Sequence, residues 1–311
     1  MKKKDENILN FLNKRDINSQ YPLFCAVEYS VISKNKEKNY EIFEYMLKYN
    51  ATTNIKTKNG VPLLIYAIEK NEEKIVEIIL SQSEEIDFKI DEAIIKAINN
   101  NNKKIECLLL EYSKNHKIEI PINKKTKFGK YLLIEAINQN NFELVTSLIK
   151  YAIEQNVDMS NNNDIRFTPL IFSYNKNYLE IFKFLVKYLN INEVDTSGNN
   201  LLYYAIEKND IEMVRNLIKT GINTNNINNS KVSIFDYALS TKNEEILNIL
   251  IDNDCVLLNE QDSEKNTPLL KMIKTRDIHD KLTLIKKMIE KGSNVNIYNS
   301  KKETPLNCAI Q

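Results

Sequence analysis

Residues 59–71 read NGVPLLIYAIEKN, and a nearly identical stretch, SGNNLLYYAIEKN, returns at residues 197–209. A third copy, FGKYLLIEAINQN, occupies residues 128–140. The small residue near the end of each copy serves as an anchor, and comparable positions recur 30 to 41 residues apart along the chain: Ala26, Ala67, Ala97, Ala136, Ser173, Ala205, Ala238, Met272 and Ala309. A period of this size predicts an array of stacked repeats.

Each repeat predicts two helices joined by a tight turn. A short apolar segment ends at the anchor, and in five repeats an Asn stands four residues later: Asn71, Asn101, Asn140, Asn177 and Asn209. Asn tolerates the left-handed conformation that ends a helix. Apolar residues follow at offsets 4, 5, 8 and 9 from that Asn, which is one stripe of a second helix, as in Ile75, Val76, Ile79 and Leu80.

The ends of the repeats predict projecting turns. Gly221 and Gly292 stop two of the second helices, and the extended stretches INTN (222–225) and SNVN (293–296) follow them. In the first repeat, residues 34–38 (KNKEK) are predicted to form a solvated loop between its two helices. The four cysteines stand far apart, which predicts buried, reduced thiols rather than disulfides.

Three Thr-Pro-Leu triplets begin predicted first helices, at residues 168–170, 267–269 and 304–306. Together with DTSG at 195–198 and KGSNVN at 291–296, they resemble the ankyrin repeat: its first-helix start, its hairpin tip and its helix exit. The resemblance implies an all-α repeat solenoid of stacked helix-turn-helix units with short projecting hairpin turns. Repeats of the tetratricopeptide type are the alternative fold, which the Thr-Pro-Leu starts and the hairpin-like exits disfavour.

The domain organisation that follows has two parts. Residues 1–15 are expected to form an N-terminal capping helix, whose apolar face covers the end of the stack. Residues 16–311 are expected to form a solenoid of about nine repeats, the last one incomplete.

Composition argues against catalysis and against several classes of ligand. The chain has 43 Lys and Arg against 42 Asp and Glu, only 5 Gly and only 2 His. The near-zero net charge and the scarcity of Arg disfavour nucleic acid, and no phosphate-binding loop or zinc motif occurs. No apolar run is long enough for a signal peptide or a membrane-spanning helix. We therefore expect a cytoplasmic, monomeric, non-enzymatic protein without cofactor or metal.

The function implied by the resemblance is binding of other proteins on a concave surface of hairpins and inner helices. The alternative is the substrate-recruiting part of a larger adaptor, for example of the ubiquitin-ligase type, whose effector domain is missing from this chain. The residues expected to contact a partner are Phe128, Tyr131, Ile165, Arg166, Phe167, Ser197, Asn199, Glu207 and Lys208. For the aromatic residues among them, packing between adjacent hairpins is the competing interpretation.

Overall fold

The structure, a computed structural model, describes residues 11–82, 89–122, 125–126, 131–157, 159 and 168–310. Helices dominate these residues, and the backbone bridges that they contain outside helices are isolated: Lys56 with Pro62 and Ile227 with Ser233. The helices are α1 Pro22–Ile32, α2 Lys36–Lys48, α3 Leu63–Glu69, α4 Glu73–Gln82, α5 Ile90–Asn99, α6 Lys103–Asn115, α7 Leu132–Asn138, α8 Phe142–Glu154, α9 Pro169–Asn175, α10 Leu179–Leu185, α11 Leu201–Glu207, α12 Ile211–Lys219, α13 Ile234–Thr241, α14 Glu244–Asp252, α15 Pro268–Lys274, α16 Lys281–Glu290 and α17 Pro305–Ile310.

The chain divides into two compact units, residues 1–159 and 160–311. In the first unit, the first helices of successive repeats (α1, α3, α5, α7) pack in one row and the second helices (α2, α4, α6, α8) in another. In the second unit, the first helices α9, α11, α13, α15 and α17 pack in the same order, and α12, α14 and α16 form the second row. Each unit is an all-α stack of helix-turn-helix repeats, as predicted.

The anchors fill the core of both units. Eight of the nine are buried, and in seven of these a small Ala or Ser lets the two helices of one repeat approach closely, whereas Met272 fills the same place with a larger side chain. Ala309 in α17 is exposed. The predicted stripe of α4 is buried along its whole length, with Ile75, Val76, Ile79 and Leu80 between 0 and 7 % exposed. This burial of one apolar face per helix is the main source of stability in such a stack.

The tight turns have the predicted backbone. Asn residues four positions after the anchor adopt left-handed φ values between 51° and 61°: Asn71, Asn101, Asn140, Asn177 and Asn209. In the seventh repeat Lys242 takes the same conformation, with φ 56°. Gly221 and Gly292 end α12 and α16 with φ of 83° and 101°, which confirms them as helix stops.

The Thr-Pro-Leu triplets begin helices, as expected. Thr168 Oγ1 accepts a hydrogen bond from the Ile171 amide at 3.2 Å, and Thr267 Oγ1 accepts one from the Leu270 amide at 3.3 Å. The following Pro lies in the first turn, where it has no N–H to leave unpaired. In these two triplets the three residues provide a cap, a preset φ and a first core contact through Leu170 and Leu269, whereas Leu306 of the third triplet is exposed.

The loop predicted at residues 34–38 is wrong. Helix α2 begins at Lys36, and Asn35 caps it by accepting from the Lys38 amide at 3.4 Å. The extra residues of the first repeat instead lengthen its helices, to 11 residues in α1 against 7 in α3, and to 13 in α2 against 10 in α4. Lys36 reaches the next repeat, where its Nζ lies 3.0 Å from Oε1 of the buried Glu72.

The prediction of buried cysteines holds for one of the four. Cys255 is buried, Cys25 and Cys308 are half-buried, and Cys107 is exposed on α6. All four are free thiols.

The predicted capping helix, residues 1–15, lies mostly outside the described residues, which begin at Phe11. The division of the chain at residue 15 and the count of about nine repeats therefore stay predictions.

Candidate functional site

The hairpin turns of the second unit are closed by a repeated side-chain device. The first residue of each turn accepts, through Oδ1, the backbone N–H groups two and four residues further on, at 2.8 to 3.0 Å: Asp195, Asn228, Asp262 and Asn299. The fourth residue of each turn has a left-handed φ: Gly198, Lys231, Lys265 and Lys302. A short Asp or Asn side chain that accepts from its own turn replaces a backbone pairing partner. The turn therefore keeps its shape without the support of a sheet.

Neighbouring hairpins are tied to one another. The Asn228 Nδ2 group donates to Asn199 Oδ1 at 2.9 Å, and Asn229 N donates to the carbonyl oxygen of Ser197 at 2.9 Å. The next two hairpins are linked in a similar way, because the Asn299 Nδ2 group donates to Asn266 Oδ1 of the preceding hairpin at 3.0 Å. Because these bonds link turns about one repeat apart, the tips in each linked pair hold a fixed register.

The ends of the first helices are tied in the same way. The Lys208 ammonium donates to the carbonyl oxygens of Tyr174 and Asn175, at 2.9 and 3.2 Å, and lies 4.4 Å from the centre of the Tyr174 ring. Burial lowers the pKa of Lys208, and the nearby carboxylates of Asp210 and Glu207 oppose that shift without reversing it. Cations at helix C-termini are favourable. Lys208 therefore stabilises the preceding helix as well as lying on the surface.

Tyrosine–carboxylate pairs add a second set of links. The Tyr66 hydroxyl donates to Glu28 Oε1 at 2.6 Å, and the Tyr174 hydroxyl donates to Asp210 Oδ2 at 2.9 Å. Tyr204 donates to the second carboxylate oxygen of Asp195, at the start of its own hairpin. Burial, reinforced by these hydrogen bonds, raises the pKa of the three phenols. They remain neutral donors at physiological pH.

The second helices carry a ladder of N-cap residues that the sequence analysis did not identify. Asn102, Asn141 and Asn243 each cap their own helix by accepting an amide three residues on, at 2.9 to 3.1 Å. Their Nδ2 groups point to the preceding repeat: Asn102 donates to Asn71 Oδ1 at 2.7 Å and Asn141 to Glu106 Oε2 at 2.7 Å. The recurrence of Asn or Asp directly after the left-handed residue is the sequence signal for this ladder.

The predicted contact residues fall into three groups. Phe128, Ile165, Arg166 and Phe167 lie outside the described residues. Tyr131 is half-buried at the start of α7, and Asn199 and Lys208 are engaged by hydrogen bonds to neighbouring repeats. Ser197 and Glu207 are exposed, the first on a tip and the second at the end of α11. The structure thus places the described members on the hairpin and first-helix surface.

The described residues offer little reactive chemistry. They contain no cluster of three or more His, Cys, Asp or Glu that could hold a metal ion. Burial raises the pKa of the thiols of Cys25 and Cys255, which keeps the reactive thiolate scarce at these two positions. Of the helices in this part of the chain, none is both long and apolar enough to cross a membrane.

Comparison with known proteins identifies the repeat. The family profile described as ankyrin repeats (3 copies) matches residues 94–195 and 186–262, which together make up more than half of the chain. A protein of fowlpox virus (strain NVSL) named as ankyrin repeat protein FPV244 is 30 % identical over 110 residues, which is 35 % of this chain. The match spans 15 % of the length of that relative.

Among solved structures, the chain is similar to an ankyrin repeat domain from Acinetobacter baumannii AYE, with 21 % identity and a TM-score of 0.49. That alignment covers 65 % of this chain and 98 % of the other. The family profile agrees with the helix pairs, the hairpin turns and the Thr-Pro-Leu caps, and the chain therefore belongs to the ankyrin repeat proteins.

Proposed function

We propose that this chain is a non-catalytic protein-interaction module that binds other proteins on its hairpin tips and first-helix surface. Ankyrin repeats are generally protein–protein interaction modules, and the family is typically non-catalytic. The proposal takes the chain to act as a monomer in the cytoplasm, where reducing conditions suit its free thiols.

The observation that carries the proposal is that some residues on that surface hold the scaffold while others remain exposed. The Asp and Asn residues that begin the hairpins use their Oδ1 atoms to accept hydrogen bonds within the turn, and hydrogen bonds between Asn side chains fix neighbouring tips. Ser197 and Glu207 lie on the same surface and remain exposed. A fixed backbone that displays exposed side chains loses little conformational entropy when it binds a partner.

Site-specific photo-crosslinking tests the proposal. A benzophenone side chain replaces Glu207 at the end of α11, and in a matched variant it replaces Glu212, which is exposed on α12 of the same repeat. After irradiation in an extract of the cell that expresses the protein, we expect a discrete crosslinked adduct from position 207 and none from position 212. Adducts from position 212 alone, or from neither position, would contradict the proposed surface.

A further inference from the structure

The exit from the seventh repeat departs from the pattern of the others. Residues 255–258 read CVLL, where the corresponding exits read INTN at 222–225 and SNVN at 293–296. Cys255 and Val256 are buried, whereas Leu257 is 43 % exposed. Leu257 thus exposes an apolar side chain where the other two exits carry Thr224 and Val295, and the seventh exit alone among the three is apolar along its whole length.

Leu257 borders a groove of about 390 Å³ in the second unit. Ile227, which is 52 % exposed on the preceding hairpin, also lines the groove, together with the buried Phe235 and Val256. Exposed apolar side chains grouped around a concavity mark binding sites more often than single exposed ones do. The groove therefore offers an apolar wall for a side chain of a partner.

Part of the groove is lined by charged side chains. Lys271 Nζ lies 2.9 Å from Asp236 Oδ1 and 3.0 Å from Asp262 Oδ2, so that one ammonium serves two carboxylates. Glu260 and Lys231 complete the ionisable lining, which makes three carboxylates against two ammonium groups.

The charges in this cluster are stable. Burial tends to lower the pKa of Lys271, but hydrogen bonds to the two Asp side chains outweigh it and raise that pKa. Burial likewise opposes the hydrogen bonds from Lys271 and the turn amides that hold the pKa of Asp262 below its usual value. Asp262 is therefore ionised at neutral pH, and the exposed Glu260 lies beside it in the groove lining.

We propose that this groove binds an extended segment of a partner protein in which an apolar side chain is followed directly by Lys or Arg. The inference rests on the proposed function and specifies the partner chemistry at one place on that surface. The apolar side chain packs between Ile227 and Leu257, and the basic one faces the excess of carboxylates. An acidic residue there would meet charges of its own sign, which favours the basic partner.

The two kinds of lining, apolar at Ile227 and Leu257 and acidic at Glu260, suit an extended segment. An extended chain places alternate side chains on one face, and adjacent ones on opposite sides. It can therefore direct one side chain into the apolar part and the next toward Glu260.

Peptide selection with the full chain tests the proposal. The probe is a phage-displayed library of random octapeptides, and we expect enrichment of an apolar residue followed by Lys or Arg. A fluorescein-labelled peptide of the selected sequence is then titrated by fluorescence anisotropy. The double variant Ile227→Ser/Leu257→Ser should weaken its binding at least tenfold, and Glu260→Lys should weaken it severalfold.

Matched variants control for general effects. Leu282→Ser replaces a leucine that is 64 % exposed outside the groove, and Glu290→Lys makes the same charge change on α16. Both should bind the peptide as the unmodified chain does. If the double serine variant unfolds at a lower temperature, Glu260→Lys alone decides the outcome, because its exposed side chain contributes little to folding.

Three results overturn the proposal: no enriched motif, a motif with an acidic residue at the second position, or binding that the groove variants leave unchanged. These outcomes are separate from the crosslinking test at position 207, which does not involve the groove. Crosslinking that persists while the peptide test fails would leave the interaction function standing and remove only this site.

Discussion

Replacing Glu106 with Leu should change how the stability of the first unit depends on pH. Glu106 occupies the stripe position of α6 that is filled by Val76 and Val145 in the adjacent repeats, and it is 2 % exposed. Its Oε2 atom accepts from Asn141 Nδ2 at 2.7 Å, while Oε1 is buried without a hydrogen-bond partner among the described residues. The stack therefore holds a half-satisfied carboxyl in its apolar stripe.

The sign of the effect follows from the carboxyl's surroundings. Burial raises the pKa of Glu106 above its ordinary 4.5, and the Asn141 hydrogen bond and Lys103 oppose that shift only in part. The native state then binds the proton more tightly than the unfolded chain does. The stabilisation from the proton is fully present below pH 4.5 and is lost as pH rises through the folded-state pKa.

The magnitude can be bounded by linkage. Between pH 4.5 and the folded pKa, the free energy of unfolding should fall by up to about 1.4 kcal/mol per pH unit relative to the Leu variant. At neutral pH the Glu106→Leu variant no longer buries an ionised carboxylate, which should stabilise it by several kcal/mol at most. It also loses the acceptor for Asn141, a cost of about 1–3 kcal/mol. The loss of the Asn141 acceptor shifts the stability equally at every pH. The slope of the unfolding free energy against pH is therefore the more specific measurement.

The assay is urea unfolding of the full chain, followed by far-ultraviolet circular dichroism, at intervals from pH 5 to pH 8. Glu111→Leu is the matched control, because it removes the same charge from an exposed position of the same helix. We expect the Glu106 variant to lose part of the pH dependence and the Glu111 variant to keep it. Equal pH slopes for the Glu106 variant and the unmodified chain would refute the reasoning.

Three further predictions concern stability, measured by the same urea unfolding. Gly198→Ala should destabilise the protein more than Gly60→Ala. Both glycines have φ 79°, a conformation that costs an L residue about 1–2 kcal/mol. At Gly198, however, an added Cβ would also lie 2.8 Å from Asn229 Oδ1 on the next hairpin, whereas at Gly60 it would meet no atom within 4 Å. Lys36→Ala should cost about 1–3 kcal/mol by leaving the buried Glu72 carboxylate without its cation, and a change within about 0.5 kcal/mol would contradict that ion pair. Leu217→Ala should cost about 2–5 kcal/mol, because this side chain is 3 % exposed in α12, and a negligible loss would show that the stripe is misassigned.

The fold could be predicted from the sequence because its period depends on a few residue types at fixed offsets. A small anchor, a left-handed residue four positions later and an apolar stripe together define two helices and the turn between them. Asn177 shows how local this information is, since it adopts φ 60° in a repeat whose anchor is Ser173 rather than Ala. Asn adopts this conformation readily, although Lys242 shows that the position can impose it on another residue.

The helix start in the first repeat has a local cap in Asn35, but the contacts that hold this helix are distant in sequence. The stretch KNKEK has the composition of a solvated loop, yet Lys36 begins α2. Its ammonium pairs with Glu72, and Tyr40 on the same helix donates to the other oxygen of that carboxylate at 2.9 Å. Burial together with that carboxylate raises the pKa of Tyr40 to about 12. A partner 36 residues away has no local signature.

The sequence was enough to locate the candidate surface, but not to tell which of its residues are free to contact a partner and which hold neighbouring repeats together. Exposed positions on the tips and first helices follow from the register, and Ser197 and Glu207 lie there as expected. The sequence gives no sign that Asn199 and Lys208 are engaged with neighbouring repeats, since each bond joins residues about 30 positions apart. Both are polar and surface-directed in any single repeat. Only the stacking of two repeats shows that they hold the scaffold.

The abundance of Asn therefore has a structural explanation that composition alone does not suggest. Asn serves as the left-handed turn residue, as the cap of second helices and as the link between hairpins, as Asn140, Asn141 and Asn228 illustrate. Each role uses a short side chain with both a donor and an acceptor. The Asn residues at these repeated positions are thus committed to the stack, whereas Ile227 and Leu257 remain exposed in the second unit.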